Sequence, residues 1–154
     1  MIERDDYVEL HAASAFSFLS AASHPEGLVE QAAGLGMDAM AITDRNGVYG
    51  AARFHTTAKR FGVRAHIGAE IAVCDWSTSK SGDPSRIVLL CASQVGYQNL
   101  CQLITRFKMR EATKAEGAAT LDDLGEFAQG LICLTGGEDG PLAAGLAHDG
   151  MQVA

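Results

Sequence analysis

Asp44 closes the apolar run Met40-Ala41-Ile42-Thr43 and is followed by Arg45-Asn46-Gly47. A carboxylate at the C-terminal tip of a buried strand, just ahead of a glycine turn, stands where α/β folds place their chemistry. Two more residues are similarly placed. His11 ends the alternating stretch Tyr7-Val8-Glu9-Leu10-His11, and Glu70 lies within a third strand region, Val63 to Val73. One imidazole and two carboxylates on three successive strands suit Zn, Mn or Fe. Each also has a plain reading: a hydrogen-bonded His at a strand end, an Asp that forms an Asn-Gly turn, and a salt-bridged wall glutamate. Arg45 is a fixed cation where a metal site would offer a neutral ligand. At about 4 Å and an effective dielectric of 20, two unit charges interact by roughly 4 kcal/mol. That term opposes a metal beside Arg45 and favours Arg45 against Asp44 or Glu70.

The elements that must carry these residues alternate along the chain. Ser23-His24-Pro25-Glu26 opens a first helix, with Ser23 and Glu26 as a capping box and Pro25 in the first turn. Leu28, Ala32 and Leu35 follow at helical spacing until Gly36. Met37 to Ile42 is a mostly apolar second strand, expected to be buried on both faces. Ala51, Phe54, Ala58 and Phe61 share one face of a second helix that Gly62 stops. After the third strand, Asp75 to Ser85 is polar and reads as a surface loop. Ile87 to Cys91 is a fourth strand, and Leu100, Leu103, Ile104 and Phe107 line a third helix. Thr120-Leu121-Asp122-Asp123 caps a short fourth helix with Leu124 and Phe127 inward, and Leu131 to Thr135 is a fifth strand. Gly136-Gly137 turns into a last helical stretch near Leu142 to Ala147. This order predicts an α/β fold with about five parallel strands and flanking helices.

The composition of the 154 residues, 47% hydrophobic and 20% charged, is that of a folded globular domain. A net charge of −7 repels phosphate backbones and argues against direct nucleic-acid binding by this piece. Cys74, Cys91, Cys101 and Cys133 form no CxxC pair; Cys91 and Cys133 read as small core residues of a reducing compartment. No signal peptide or membrane-length apolar run is present, so the cytoplasm is the expected location and no membrane partner is expected. Gly136-Gly137 could cradle a phosphate but lacks a Walker or dinucleotide pattern. His24, His55 and His66 have no paired spacing, and Lys108, Arg110 and Lys114 read as a solvated helix end. A closed (β/α) barrel takes roughly 200 residues or more, and five strands leave an exposed edge. We therefore expect the N-terminal part of a longer protein.

The opening, with Tyr7 to His11, Ser14-Ala15-Phe16-Ser17-Phe18-Leu19 and Ala22-Ser23-His24-Pro25-Glu26, resembles the start of a PHP (polymerase and histidinol phosphatase) domain. Ala41-Ile42-Thr43-Asp44-Arg45-Asn46-Gly47 resembles its second motif and Ile67-Gly68-Ala69-Glu70 its third. Val95-Gly96-Tyr97-Gln98-Asn99-Leu100-Cys101-Gln102-Leu103-Ile104-Thr105 and Gly130 to Gly137 are similar to the corresponding segments of bacterial C-family DNA polymerase alpha subunits. The Phe-Ser-Phe-Leu and Ser-His-Pro-Glu variants look most like the error-prone, damage-tolerant branch. The resemblance implies residues 1–154 of a distorted (β/α) barrel, truncated at its C-terminus and without the polymerase core.

The departures from the family pattern bear on chemistry. The first motif, His-x-His, is His11-Ala12-Ala13 here; Asp-His is Asp44-Arg45; a His expected at the start of the fourth strand is Arg86. A catalytic metal needs about three protein ligands and an open position. His11, Asp44 and Glu70 are then a remnant ligand set, and Arg45 with Arg86 are the cations expected to replace the metal by pairing with the carboxylates. The resemblance thus implies a non-catalytic module of an error-prone polymerase engaged in translesion synthesis and repair. The polymerase body of the same chain is its partner, DNA is reached only through the parent, and Mg²⁺ serves the parent's own active site. The alternatives are an active metal-dependent phosphoesterase or 3′–5′ exonuclease, using Zn, Mn or Fe, and a small stand-alone PHP-like binding protein.

Overall fold

The computed structural model describes residues 7–74, 84–110, 117–137 and 140–143. In chain order the elements are β1 (Glu9–Ala12), α1 (Pro25–Gly34), β2 (Ala39–Arg45), α2 (Ala51–Phe61), β3 (Arg64–Val73), β4 (Ser85–Cys91), α3 (Gln94–Arg110), α4 (Leu121–Phe127) and β5 (Leu131–Leu134). The strands lie side by side in the order β1-β2-β3-β4-β5.

The α/β fold and its five strands match the expectation, but the sheet is mixed. β1, β2 and β3 are parallel, whereas β4 is antiparallel to both β3 and β5. The reason lies in the connections. A parallel neighbour needs a crossover, usually a helix. The sequence between Val73 and Ser85 offers no apolar helical face, so β4 returns directly alongside β3. After β4, helices α3 and α4 run antiparallel, with Arg110 bonded to Asp123 and Arg106 to Glu126. Two opposed helices bring the chain back to the end of the sheet where β4 finished, and β5 then runs against β4. Of the predicted loop Asp75 to Ser85, residues 75–83 lie outside the described residues, while Ser85 already opens β4; of the last helical stretch only the start is described, with 141–143 helical.

Side chains alternate across the sheet, and this separates two environments. On one face Val29, Ala32, Met40, Ile42, Phe54, Ala58 and Val63 pack beneath α1 and α2. Ala69, Ile71, Val73, Ile87 and Leu89 continue that face beneath Leu100, Leu103, Ile104, Phe107 and Phe127 of α3 and α4. The opposite face carries the small cluster Ala41, Val88 and Leu90 with Leu134 against it, and no described helix covers it.

Several local expectations hold, among them the inward face of α3, the left-handed stop at Gly62 (φ 72°) and the reciprocal capping box between Thr120 and Asp123. Others need correction. The N-cap of α1 is His24 without a side-chain cap bond, and Glu26 instead accepts from Arg53 Nε at 2.6 Å, tying α1 to α2. Leu35 and Phe61, each at the end of its helix, are exposed, while Val29 takes the core position on α1. Cys133, on β5 at the edge of the described sheet, is exposed, and Cys91, the last residue of β4, is only half-buried. Burial and the neighbouring Cys101 push the Cys91 thiol up to about 11. A glycine is needed at 96: a Cβ there would sit 1.8 Å from the Gly130 carbonyl oxygen, where α3 crosses the turn into β5.

Candidate functional site

Asp44 and Arg45 are consecutive strand residues, so their side chains leave opposite faces of the sheet. The Asp44 carboxylate turns to the helical face and is 1% exposed. Its Oδ1 accepts from the Ser14 backbone N–H at 2.8 Å, the Ser14 hydroxyl at 2.8 Å and the Ser17 hydroxyl at 2.9 Å. Its Oδ2 accepts from the Gly50 N–H at 2.8 Å. The Ser17 hydroxyl in turn accepts from the Arg45 N–H at 3.0 Å. Asp44 therefore clamps the 14–17 turn to the start of α2. A Cβ at position 50 would lie 2.7 Å from Asp44 Oδ2, so the glycine permits this approach.

Arg45 is the register partner of Glu70, and both point to the face without helices. Glu70 Oε1 accepts from Arg45 Nε at 3.3 Å and from Arg86 Nη1 at 3.5 Å, and Oε2 pairs with His11 Nε2 at 2.9 Å. Side chains from β1, β2 and β4 thus converge on one carboxylate of β3. The side chains of Glu70 and Arg86 are largely sheltered, at 18% and 17% exposure; Arg45 is at 31% and His11 at 48%. The hydrogen bond from His11, followed by that from Arg45, lowers the Glu70 pKa against the opposing effect of burial. The same bond raises the pKa of His11, again against burial.

The structure brings His11, Arg45, Glu70 and Arg86 together and leaves Asp44 on the far face. Among the described residues this cluster offers two metal-type donors, His11 and Glu70, where a catalytic centre uses about three. Among the described residues no group of three or more His, Cys, Asp or Glu side chains is placed to hold a metal ion. Arg45 and Arg86 both pair with Glu70 and neither with Asp44. Sequence reasoning did not single out the anchoring roles of Ser14 and Ser17, nor that of Asn46. Asn46 is buried with φ 48°; its Oδ1 accepts from the Ala72 N–H at 2.9 Å and its own N–H donates to the Glu70 carbonyl at 2.7 Å, fixing the strand ends that hold the cluster. The Asn-Gly pair, which tolerates left-handed backbone, was the available signal.

The two pKa shifts set a pH window. The lowered Glu70 contributes stability above its ordinary value of 4.5, and this is lost as pH falls through its folded value. The raised His11 contributes fully below its ordinary 6.5, and this is lost as pH rises through its folded value. The pair is worth most between those two values. Because His11 is half exposed, the expected advantage of the unmodified chain over His11→Ala is about 1 kcal/mol or less at pH 5.5. It should shrink toward zero by pH 8.5 in urea titrations; an advantage that instead grows with pH would contradict the pairing.

A mixed five-stranded sheet with helices on one face and a polar cluster on the other defines an α/β protein. The PHP domain model matches residues 9–154, and the chain belongs to the PHP domain family. It matches the N-terminal region of error-prone DNA polymerases. It is 40% identical over 148 residues to that of Anaeromyxobacter sp. (strain K), covering 91% of this chain and 13% of the relative. With that of Mycolicibacterium paratuberculosis the identity is 37% over 151 residues, covering 96% and 14%. The chain thus spans about an eighth of the length of the curated relatives it matches. Among solved structures it resembles a putative metal-dependent phosphoesterase from Bifidobacterium adolescentis (TM-score 0.52, 18% identity, 91% of this chain and 49% of that one). It also resembles an amidohydrolase from Chromobacterium violaceum (TM-score 0.53, 22% identity, 66% and 33%). These likenesses show the fold. No described helix is long and apolar enough to cross a membrane.

Proposed function

We propose that this chain is a non-catalytic PHP module of an error-prone DNA polymerase, in which an ion-pair cluster stands where metal-dependent relatives hold a cation. One observation carries this reading: the Glu70 carboxylate is bonded by His11, Arg45 and Arg86, while Asp44 is consumed in a buried clamp on the other face. Glu70 already faces two guanidinium groups, and a divalent cation would add to their mutual repulsion. The PHP domain match and the error-prone polymerase relatives support the parent's identity. In that context the module packs against the polymerase body of the same polypeptide in the cytoplasm. DNA contact and Mg²⁺-dependent nucleotide transfer belong to parts of the parent that this chain does not contain. The domain span of 1–154 and its continuation into a larger protein are part of the same proposal.

The test is metal analysis of the purified chain, joined to an assay with a phosphate monoester and a 3′-labelled oligonucleotide in added Zn²⁺ or Mn²⁺. We expect substoichiometric metal and no turnover above the Glu70→Gln background. A stoichiometric ion together with turnover that Glu70→Gln removes in a folded chain would establish the metallohydrolase instead.

A further inference from the structure

The turn between β1 and α1 holds apolar side chains out in solvent. Leu19 is 95% exposed and Phe18 82%, the highest values of any large apolar side chain among the described residues. Phe16, on the same turn, is 41% exposed. Neither Phe18 nor Leu19 belongs to a core cluster. Leu19 also has φ 60°, a left-handed conformation that a residue with a Cβ adopts only at a cost. Packing within the domain therefore accounts for neither side chain.

The frame beneath them is firmly tied. The Ser14 and Ser17 hydroxyls donate to the buried Asp44 carboxylate. The Ser20 and Ala21 N–H groups donate to the Ser17 carbonyl at 2.9 and 3.1 Å, and the Ala15 N–H to the Ser23 carbonyl at 2.7 Å. The Phe16 ring lies 5.7 Å from the guanidinium carbon of Arg53, which is itself bonded to Glu26. An ion pair between α1 and α2 thus borders the apolar residues, as a polar rim borders the apolar centre of a protein interface.

The size of the patch decides what can cover it. Three such side chains offer roughly 400 Å², about half of what each partner buries in a stable contact between separate chains. Two copies meeting at this turn would bury no more than an incidental contact does. A surface on the same polypeptide meets a weaker requirement, because linkage holds it at an effective concentration in the millimolar range. The error-prone polymerase relatives extend far beyond the matched segment, which is 13% of one and 14% of another.

We propose that Phe18 and Leu19, with Phe16 beside them, form a plug that seats in an apolar cup on the polymerase body of the same polypeptide. This rests on the reading of the chain as a module of that polymerase. Once seated, the plug removes two exposed apolar side chains from water. It also connects the body, through Ser17 and Asp44, to the end of β2.

Hydroxyl-radical footprinting read by mass spectrometry compares the 154-residue chain with the full-length parent. We expect Phe18 and Leu19 to be oxidised about fivefold or more slowly in the parent. The double substitution Phe18→Ser, Leu19→Ser should leave the urea midpoint of the chain alone unchanged. In the parent it should raise the rate at which a protease separates module from body by about tenfold or more. Equal oxidation rates in chain and parent, or a lowered urea midpoint of the substituted chain, would overturn this inference and leave the module reading standing. Oxidation that quickens on dilution of the chain alone would give the turn to a second copy and overturn the choice of occupant. A reading frame that does not continue into a polymerase would refute the reading beneath it.

Discussion

Asp44→Ala should lower the unfolding free energy by about 3–5 kcal/mol, because it removes the acceptor of four hydrogen bonds in a site closed to water. Two of the stranded donors are backbone N–H groups, of Ser14 and Gly50, and two are the hydroxyls of Ser14 and Ser17. Water cannot easily replace the carboxylate at 1% exposure. The loss propagates, since Ser17 also holds the Arg45 N–H and thereby the strand end that aims Arg45 at Glu70. Asp44→Asn separates charge from shape. If its carbonyl oxygen takes the Oδ1 position, the amide group must face the Gly50 N–H, donor against donor, and we expect a loss of about 2 kcal/mol. Urea denaturation in the presence and absence of a chelator reads both variants. The losses should be the same in either condition, as suits a carboxylate that serves the fold. A loss below about 1 kcal/mol for Asp44→Ala, or one that appears only without chelator, would show that the clamp is not its role.

The contrast between Asp44 and Glu70 shows what was legible in the chain. The strands were readable because Ile87-Val88-Leu89-Leu90 and Met40-Ala41-Ile42-Thr43 are continuous apolar runs, and the amphipathic face of α3 because Leu100, Leu103, Ile104 and Phe107 keep helical spacing. The direction of β4 was less readable, since apolar content fixes burial and not polarity; only the lack of a helical face between β3 and β4 pointed to a return strand. The separation of Asp44 from Arg45 was implicit in the pleat, because neighbours on a strand cannot share a face, although strand-tip position alone made His11, Asp44 and Glu70 look convergent. The Asp44 clamp was hidden for another reason. Its partners Ser14 and Ser17 lie about 30 residues away, and no local periodicity encodes contacts at that range. Leu35 and Phe61 fit the helical pattern but fall at helix ends, where the face has already rotated past the core.

If the cluster stands on a scaffold suited to a metal, the double substitution Arg45→His, Arg86→His should create a site. Arg45 reaches Glu70 through Nε at 3.3 Å, and an imidazole on the same backbone extends its Nε2 to a comparable depth. Arg86 reaches it through the more distant Nη1 at 3.5 Å, so Arg86→His contributes less by ligation and more by removing charge. Together the changes supply up to two imidazoles beside His11 and Glu70, meeting the donor count of a catalytic or structural zinc centre. They also delete two cations, each of which would oppose a metal ion at about 4 Å by a few kcal/mol. We expect Zn²⁺ affinity, measured by competition with a chromophoric chelator, to rise about a hundredfold or more over the unmodified chain. Adding Glu70→Gln should abolish the gain. Adding Asp44→Asn should weaken the fold yet leave the affinity of the folded fraction nearly unchanged, since that carboxylate lies across the sheet. An affinity that depends on Asp44 as strongly as on Glu70 would mean that both carboxylates reach one ion, contrary to the opposite faces they occupy.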